Sequence, residues 1–355
     1  PFGAHGMRSS HSLVFIGAPM DAGASCRGCS MGPEALRVAN LSQSLNALGY
    51  SVHDTGNLHG PVEYKDSSGP YKNLESVAEW NERVFDAVQG VLSQQQGIPV
   101  LLGGDHSVAI GSISAVAQHC KTQSKKLRVL WFDAHADFNT PELSPSGNLH
   151  GMPMACLCGL GPTSLTHLSG QSPAIDPACI RQIGIRSVDA GERKLVHDVG
   201  LEIFDMRYID EEGMRATMTS ALMGVDDNTH LHVSFDVDFL DPGIAPGVGT
   251  AVPGGPTYRE AQLCMEMIAD TGGGLLYTPH DPAALAAGLT GAPSFIAGNS
   301  LNRRMKRRSI QSFQRQTQSP PKPMMPRRAS WICLALASVL QLPLALRSSP
   351  RVRSA

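Results

Sequence analysis

LRVLWFDAHAD, residues 127–137, is a short apolar run that ends in two acids and an imidazole. Its first seven residues have the length and the Val, Leu and aromatic content of a buried β-strand. Asp133, His135 and Asp137 follow at every second position, so an extended backbone would point them to one side. The stretch therefore predicts a core strand with polar side chains gathered at its carboxyl end.

Four further apolar runs predict strands: residues 12–18, 99–103, 179–186 and 231–238. Between the runs, apolar residues at helical spacing predict helices over 33–48 and 74–93, and a capping box of Thr257 and Glu260 opens a helix through Asp270. Strands that alternate with helices favour a three-layer α/β/α fold around a mostly parallel sheet. Such sheets bind ligands at the carboxyl ends of their strands.

Two other predicted strands also end in candidate ligands. GGDHS (103–107) places His106 after one strand, and SFDVDFLDP (234–242) places Asp236 and Asp238 after another. Together with the three polar side chains after residue 132, they could form one site of four carboxylates and two imidazoles. Crowded carboxylates raise each other's pKa and lose hydration unless a cation neutralises them. Oxygen-rich ligands without thiolate favour Mn²⁺ over structural zinc, and six ligands suffice for two ions.

A solvated strand end is the ordinary interpretation of a single Asp-x-Asp, but three such ends in one chain argue against it. Four motifs in this order resemble the ureohydrolase superfamily and, within it, the arginase family: GGDHS (103–107), DAHADFNTP (133–141), SGNLHGMP (146–153) and SFDVDFLDP (234–242). FIGAPMDAG (15–23) and IRSVDAGE (185–192) are in register with the same family. The resemblance spans about residues 12–270.

The resemblance implies an arginase-like fold and the hydrolysis of L-arginine to L-ornithine and urea. It implies that two Mn²⁺ ions per chain are bound by His106, Asp133, His135, Asp137, Asp236 and Asp238. It implies that His150 is the proton shuttle, since a loop imidazole with a pKa near neutrality can pass a proton to a leaving amine. The residues expected to read the amino acid are Asn139, Ser146 and Asn148 for the α-carboxylate, and Asp189 and Glu192 for the α-ammonium.

Agmatinase or another guanidino-hydrolase is the alternative enzyme class, although the SGNLHG loop suits a substrate that keeps its α-carboxylate. Outside enzymes, the alternative is a non-catalytic metal-binding or tail-mediated interaction protein. No cofactor beyond the metal is expected, because Gly103 and Gly104 are not followed by a phosphate-loop pattern. These two glycines are instead expected to let the backbone approach the metal ions closely.

The resemblance ends near Asp270. Family members continue with a strand whose Glu pairs with the substrate guanidinium, whereas no Glu follows Glu266 in this chain. We therefore expect a catalytic domain over 12–270 that is incomplete at its carboxyl end, with an unpaired sheet edge, and impaired arginase activity. Thr250 resembles a residue that supports the missing Glu and is expected to lack its partner. The only later acid is Asp281, in a Pro-rich turn.

Residues 271–355 are expected to be a disordered or out-of-frame segment that is basic and free of acids from about residue 283. Residues 283–355 contain 12 Lys and Arg, while residues 1–282 contain 17 basic and all 31 acidic residues. An acidic body suits metal cations or a cationic small substrate and argues against nucleic acid as a partner. The apolar run 331–346 is short and interrupted by Gln341 and Pro343, so no membrane span is expected.

With 355 residues, 42% of them hydrophobic, the chain can bury a large core without disulfides. Eight cysteines are scattered along the chain and are expected to be reduced. Cys26 with Cys29, and Cys156 with Cys158, form short pairs that lack the second half of a zinc site. Residues 1–10 contain no long apolar stretch, so a cytoplasmic location is the expectation. The resemblance also implies a homo-oligomer.

Overall fold

The computed structural model describes residues 12–62, 64 and 69–271, together with the backbone of 274–280. Within them, eight strands form one sheet in the order β2-β1-β3-β8-β7-β4-β5-β6. The strands are β1 (Ser12–Gly17), β2 (Ser51–Asn57), β3 (Ile98–Leu102), β4 (Lys126–Phe132), β5 (Ile180–Ile185), β6 (Glu202–Asp205), β7 (Thr229–Asp236) and β8 (Gly274–His280). Every described pairing between them is parallel. The predicted parallel sheet is confirmed.

Ten α-helices of the described chain connect these strands. They are α1 (Gly32–Val38), α2 (Leu41–Ala47), α3 (Leu74–Ser93), α4 (Ala109–Thr122), α5 (Pro153–Leu157), α6 (Thr163–Thr166), α7 (Ala190–Asp198), α8 (Met206–Glu212), α9 (Met214–Ala221) and α10 (Tyr258–Asp270). On one face of the sheet, Met218 and Ile268 belong to the same buried cluster as Val233 of β7. On the other, Val84 packs in a cluster with Leu101 of β3. Helices on both faces make the predicted three-layer fold.

The helix predictions are confirmed where the apolar pattern and a cap agree. The helix predicted over 74–93 is α3, and α10 begins after Thr257 with both hydrogen bonds of its capping box present. The continuous helix predicted over 33–48 is wrong, because the chain breaks between α1 and α2 at Asn40, whose φ is 60°. Asn adopts this left-handed conformation more readily than most residues, so the apolar spacing continues across a bend.

The eighth strand corrects the expectation of an unpaired sheet edge. The backbone of β8 lies between β3 and β7, with Tyr277 in register with Val100 and His280 in register with Asp236. The central gap of the sheet is therefore filled, although the segment contains no Glu. Residues 281–355, including Asp281 and the apolar run 331–346, lie outside the described residues. No helix in the described part of the chain is long and apolar enough to cross a membrane.

Gly104 allows two loops to meet beside the carboxyl edge of the sheet. A Cβ at this position would overlap the backbone carbonyl of Met20, and the next amide, of Asp105, donates to that carbonyl oxygen over 2.8 Å. The structure therefore gives Gly104 a reason other than the expected approach of the backbone to metal ions. The glycine is needed for the contact with the loop that follows β1, and this contact holds that loop next to His106.

Candidate active site

The first group of predicted metal ligands surrounds His106. Its Nδ1 lies 2.8 Å from Asp133 Oδ2, 3.3 Å from Asp137 Oδ2 and 3.1 Å from Asp236 Oδ2. All four side chains are buried. Three strands position them. His106 follows β3, Asp133 and Asp137 follow β4, and Asp236 ends β7.

A second group shares Asp133 with the first. His135 Nδ1 lies 3.4 Å from Asp133 Oδ1 and 3.1 Å from Asp238 Oδ2. Thr250 Oγ1 donates to the same Asp238 Oδ2 over 2.9 Å, so this hydroxyl bonds a predicted metal ligand in a chain that has no Glu after Glu266. Among the described residues, two sets bring three ligand atoms within 4.8 Å of one another, and both contain Asp133: His106-Asp133-Asp137 and Asp133-His135-Asp238. The arrangement can hold two ions that share one carboxylate.

Loops rather than extended strands bring these side chains together. β4 ends at Phe132 and β7 at Asp236, so the predicted alternation along an extended backbone is the wrong reason for the convergence. Asp137 has a left-handed φ of 50°, and Asp238 lies in a short 3-10 turn. Left-handed backbone at a residue other than Gly stores strain, which is common where a side chain must be aimed at a site.

Two residues that the sequence analysis did not single out orient His106. Its ring stacks on Trp131 with 3.8 Å between centroids and 6° between planes, and its Nε2 lies 2.9 Å from Ser234 Oγ. Holding the second ring nitrogen leaves Nδ1 directed at the carboxylates, a common support for metal-binding imidazoles. Trp131 and Ser234 each lie two residues before a predicted ligand, so strand periodicity could have identified both.

The electrostatics of the cluster show a surplus of negative charge. Burial and the neighbouring Asp133 raise the pKa of Asp137 to about 7. Burial, Asp238 and Asp133 raise the pKa of Asp236 well above its usual value. Burial would lower the pKa of His106, but its carboxylate partners raise it well above the ordinary value. The imidazoles do not compensate for all the carboxylates.

This donor set fits divalent cations. The carboxylates share a buried space with two imidazole Nδ1 atoms, and no thiol belongs to either ligand group among the described residues. Hard oxygen ligands with imidazole suit Mn²⁺, and a divalent ion would remove the repulsion that raises the acid pKa values.

All twelve predicted site residues line one cavity of about 190 Å³. They are His106, Asp133, His135, Asp137, Asp236 and Asp238 at its base, and Asn139, Ser146, Asn148, His150, Asp189 and Glu192 around it. Ser144, Ser187 and Thr250 also line the cavity. The volume suits a small molecule, and its lining carries both donors and acceptors.

One wall of the cavity is built around the first turn of α7. Glu192 accepts from the backbone amides of Phe138 over 2.8 Å and Asp189 over 3.2 Å, one with each carboxylate oxygen. Asn139 Nδ2 donates to Asp189 Oδ2 over 3.1 Å. Asn139 Oδ1 is buried and has no hydrogen-bond partner among the described residues. Glu192 thus holds the wall in place, while Asp189 and Asn139 offer polar atoms to the cavity.

The loop that carries His150 also lines the cavity. The Asn148 backbone amide donates to Ser146 Oγ over 3.2 Å, and the Asn148 side chain is paired with Ser25 through contacts of 2.7 and 3.0 Å. Burial, with the nearby His135, lowers the pKa of His150 to about 4, below the near-neutral value expected from the sequence. The imidazole of His150 is therefore neutral at pH 7, and its ring can accept a proton.

Comparisons with known proteins agree with this fold and site. A sequence model described as Arginase family matches residues 11–276. An arginase from Bacillus caldovelox is 44% identical over 262 residues, which cover 73% of this chain and 86% of that protein. A crystal structure of an arginase from Bacillus subtilis matches with a TM-score of 0.70 and 38% identity, covering 80% of this chain and all of that one. A crystal structure of an arginase from Entamoeba histolytica in complex with L-ornithine matches with a TM-score of 0.68 and 30% identity. The match covers 77% of this chain and 92% of that chain.

The family match over residues 11–276 includes every residue that lines the cavity. The family model alone accounts for well over half of the sequence. The lineage is therefore that of an amidine hydrolase with a metal-capable His and Asp cluster. This chain belongs to the arginase family.

Proposed function

We propose that the chain hydrolyses L-arginine to L-ornithine and urea with two Mn²⁺ ions. The observation that carries the proposal is the pair of ligand groups that share Asp133 in a cavity whose lining is mostly polar. The named relatives are arginases, and the structure from Entamoeba histolytica is described as a complex with L-ornithine. A small cationic substrate also suits the acidic base of the cavity.

The metal ions would be held by the residues of the two groups together with Asp236. When bound, they supply Lewis acidity that activates a water and stabilises negative charge on the way to the tetrahedral intermediate. Thr250 supports this arrangement, since its hydroxyl fixes Asp238 Oδ2. Ser234 and Trp131 similarly keep the ring of His106 in one orientation.

The walls of the cavity would orient the amino acid. Asp189 faces the cavity with a carboxylate that can accept from an α-ammonium, and Glu192 keeps the Asp189 backbone in place. Ser146 and Asn148 line the same cavity, and their hydroxyl and amide groups would donate to an α-carboxylate. The buried Oδ1 of Asn139 offers a further acceptor to a ligand N–H. Agmatine lacks the α-carboxylate, so it would leave the donors of Ser146 and Asn148 without a partner. This difference favours arginine as the substrate.

His150 would move the proton that the reaction needs. Water adds to the guanidinium carbon of arginine. The bond from this carbon to Nε then breaks, and Nε leaves as the side-chain amine of ornithine. A neutral imidazole can take a proton from the water and deliver it to that nitrogen. Burial and the nearby His135 lower the pKa of His150, so the neutral ring is the form that would take up the proton.

The chain as written is expected to hydrolyse arginine more slowly than a variant with a restored Glu-bearing strand. Without that carboxylate the guanidinium loses a charge-assisted hydrogen bond, which corresponds to roughly 10–100-fold in kcat/KM. The measurement is urea release by the manganese-loaded chain, with and without the restored terminus, from L-arginine and from agmatine. We expect arginine to be preferred by both proteins.

Three outcomes would each contradict a different part of this proposal. Equal rates with both termini would show that the missing Glu is compensated, leaving the reaction itself intact. No urea from either protein, at full manganese occupancy, would favour a metal-binding protein without hydrolytic activity. Faster turnover of agmatine would reassign the substrate.

A further inference from the structure

Two cysteines three residues apart lie beside the candidate active site. Cys26 is exposed and Cys29 is buried, and the structure holds both in the reduced form. Both line a second cavity of about 90 Å³, whose walls also include Asn148, His150 and Thr250. A Cys-x-x-Cys pair with one exposed and one inner thiol is suited to thiol–disulfide exchange, because the outer thiol reacts first and the inner thiol resolves the product.

The backbone between the two cysteines is held by the buried carboxylate of Asp21. Gly28 has a φ of 135°, a conformation that side-chain-bearing residues rarely adopt. Its amide donates to Asp21 Oδ2 over 3.1 Å, and Ser30 Oγ donates to the same oxygen over 3.0 Å. Tyr64 donates its hydroxyl to Asp21 Oδ1 over 2.7 Å, so this carboxylate anchors the loop. The turn brings both cysteines to one cavity.

The cysteine loop is joined to the loop that carries His150. Ser25, the residue before Cys26, exchanges contacts of 2.7 and 3.0 Å with the side-chain amide of Asn148. The backbone amide of His150 donates to the carbonyl of Gly23 over 3.0 Å. A covalent bond at Cys26 therefore acts directly on the residue that holds Asn148.

The other cysteines of the described chain are less accessible. Cys156 and Cys158 lie at the end of α5, and burial raises the pKa of each thiol to about 12. Cys120, Cys156 and Cys264 are buried, and Cys158 and Cys179 are partly exposed, whereas Cys26 is the exposed cysteine of the described residues. An oxidant in solution would meet Cys26 first.

We propose that Cys26 and Cys29 are a reversible redox modification site, which a low-molecular-weight disulfide converts to an internal disulfide that weakens the hold of Ser25 on Asn148. The Cys26 thiolate attacks one sulfur of oxidised glutathione, whose S–S bond breaks and releases one glutathione thiolate. Cys29 then attacks Cys26 Sγ in the mixed disulfide and displaces the second glutathione. The protein loses two electrons and two protons, and two molecules of reduced glutathione form. Any effect on turnover rests on the proposed function.

Trypsin provides a direct test, because it cleaves after Arg27, between the two cysteines. The reduced protein gives peptides 9–27 and 28–37 with one cysteine each. After the full chain is incubated with oxidised glutathione and its remaining thiols are alkylated, we expect these peptides to stay joined, two hydrogens lighter than their sum. Reduced glutathione should restore the separate peptides. A lasting glutathione adduct on Cys26, or two alkylated peptides, would overturn the pairing.

The coupling to the active site is tested on the same samples. Oxidation is expected to raise the KM for arginine about fivefold, which is the change expected when one neutral hydrogen bond is lost. It is also expected to speed amide hydrogen exchange in residues 146–150. Cys26→Ser should remove both effects and retain the activity that the unmodified protein has in its reduced state. Cys158→Ser should show both effects. A joined peptide pair with unchanged hydrogen exchange would overturn the coupling. Absence of urea in both redox states would count against the proposed function alone, since peptides and exchange are measured without turnover.

Discussion

Asp133→Ala is expected to remove both metal ions and to lower arginine turnover by about 10³-fold or more. Asp133 is the one carboxylate that belongs to both three-residue sets, so its loss leaves two members of each set. Metal catalysis contributes several kcal/mol to such reactions, and each 1.36 kcal/mol is tenfold in rate. The measurements are metal content per chain after manganese loading and dialysis, and urea release by the same sample.

Single-group variants provide the matched comparison. Asp137→Ala and Asp238→Ala each disturb only one of the two groups, and we expect each to retain about one ion per chain. Asp198→Asn, on the exposed surface of α7, should leave the manganese content and the turnover unchanged. If Asp133→Ala retains as much manganese as the unmodified chain, the assignment of the shared ligand is wrong.

His150→Ala is expected to lower turnover by about 10²-fold with metal content intact, which is the usual size of general acid-base assistance. The side chain belongs to neither ligand group, so the metal ions should stay bound. Its pKa of about 4 means that the imidazole is neutral at higher pH and becomes charged only as the pH falls toward 4. The loss of rate should therefore be constant from about pH 6 to 9.

Two further measurements distinguish proton transfer from a structural effect at this position. His150→Asn keeps a polar side chain that cannot accept a proton, so it should be as slow as His150→Ala. Added imidazole should restore part of the activity of His150→Ala, and more at higher pH, where the neutral base predominates. A variant with the unmodified rate, or one that has lost its manganese, would remove His150 from the proposed step.

The sequence predicts those features that depend on local patterns. α3 and α10 follow from apolar spacing and a capping box, and β4 follows from a short apolar run. The six candidate ligands follow from charged residues at strand ends, because parallel strands bring their carboxyl ends to one edge. Their convergence did not depend on the exact backbone path, which differs from the predicted extended one.

Features that depend on tertiary context could not be predicted in this way. β2 is mostly polar and lies at the edge of the sheet, so it carries no apolar run. β8 is placed by the gap between β3 and β7, which becomes apparent only when the whole sheet is assembled. The left-handed φ of Asp137 and the lowered pKa of His150 likewise arise from loops and burial contributed by distant parts of the chain.

The most direct measurement is anomalous X-ray diffraction, at the manganese absorption edge, from crystals of the manganese-loaded chain. Two peaks are expected at the base of the cavity, one beside His106 and one beside His135, with Asp133 contacting both. A single peak in the cavity, or manganese bound elsewhere with the cavity free of anomalous signal, would contradict a two-ion centre built on these six residues.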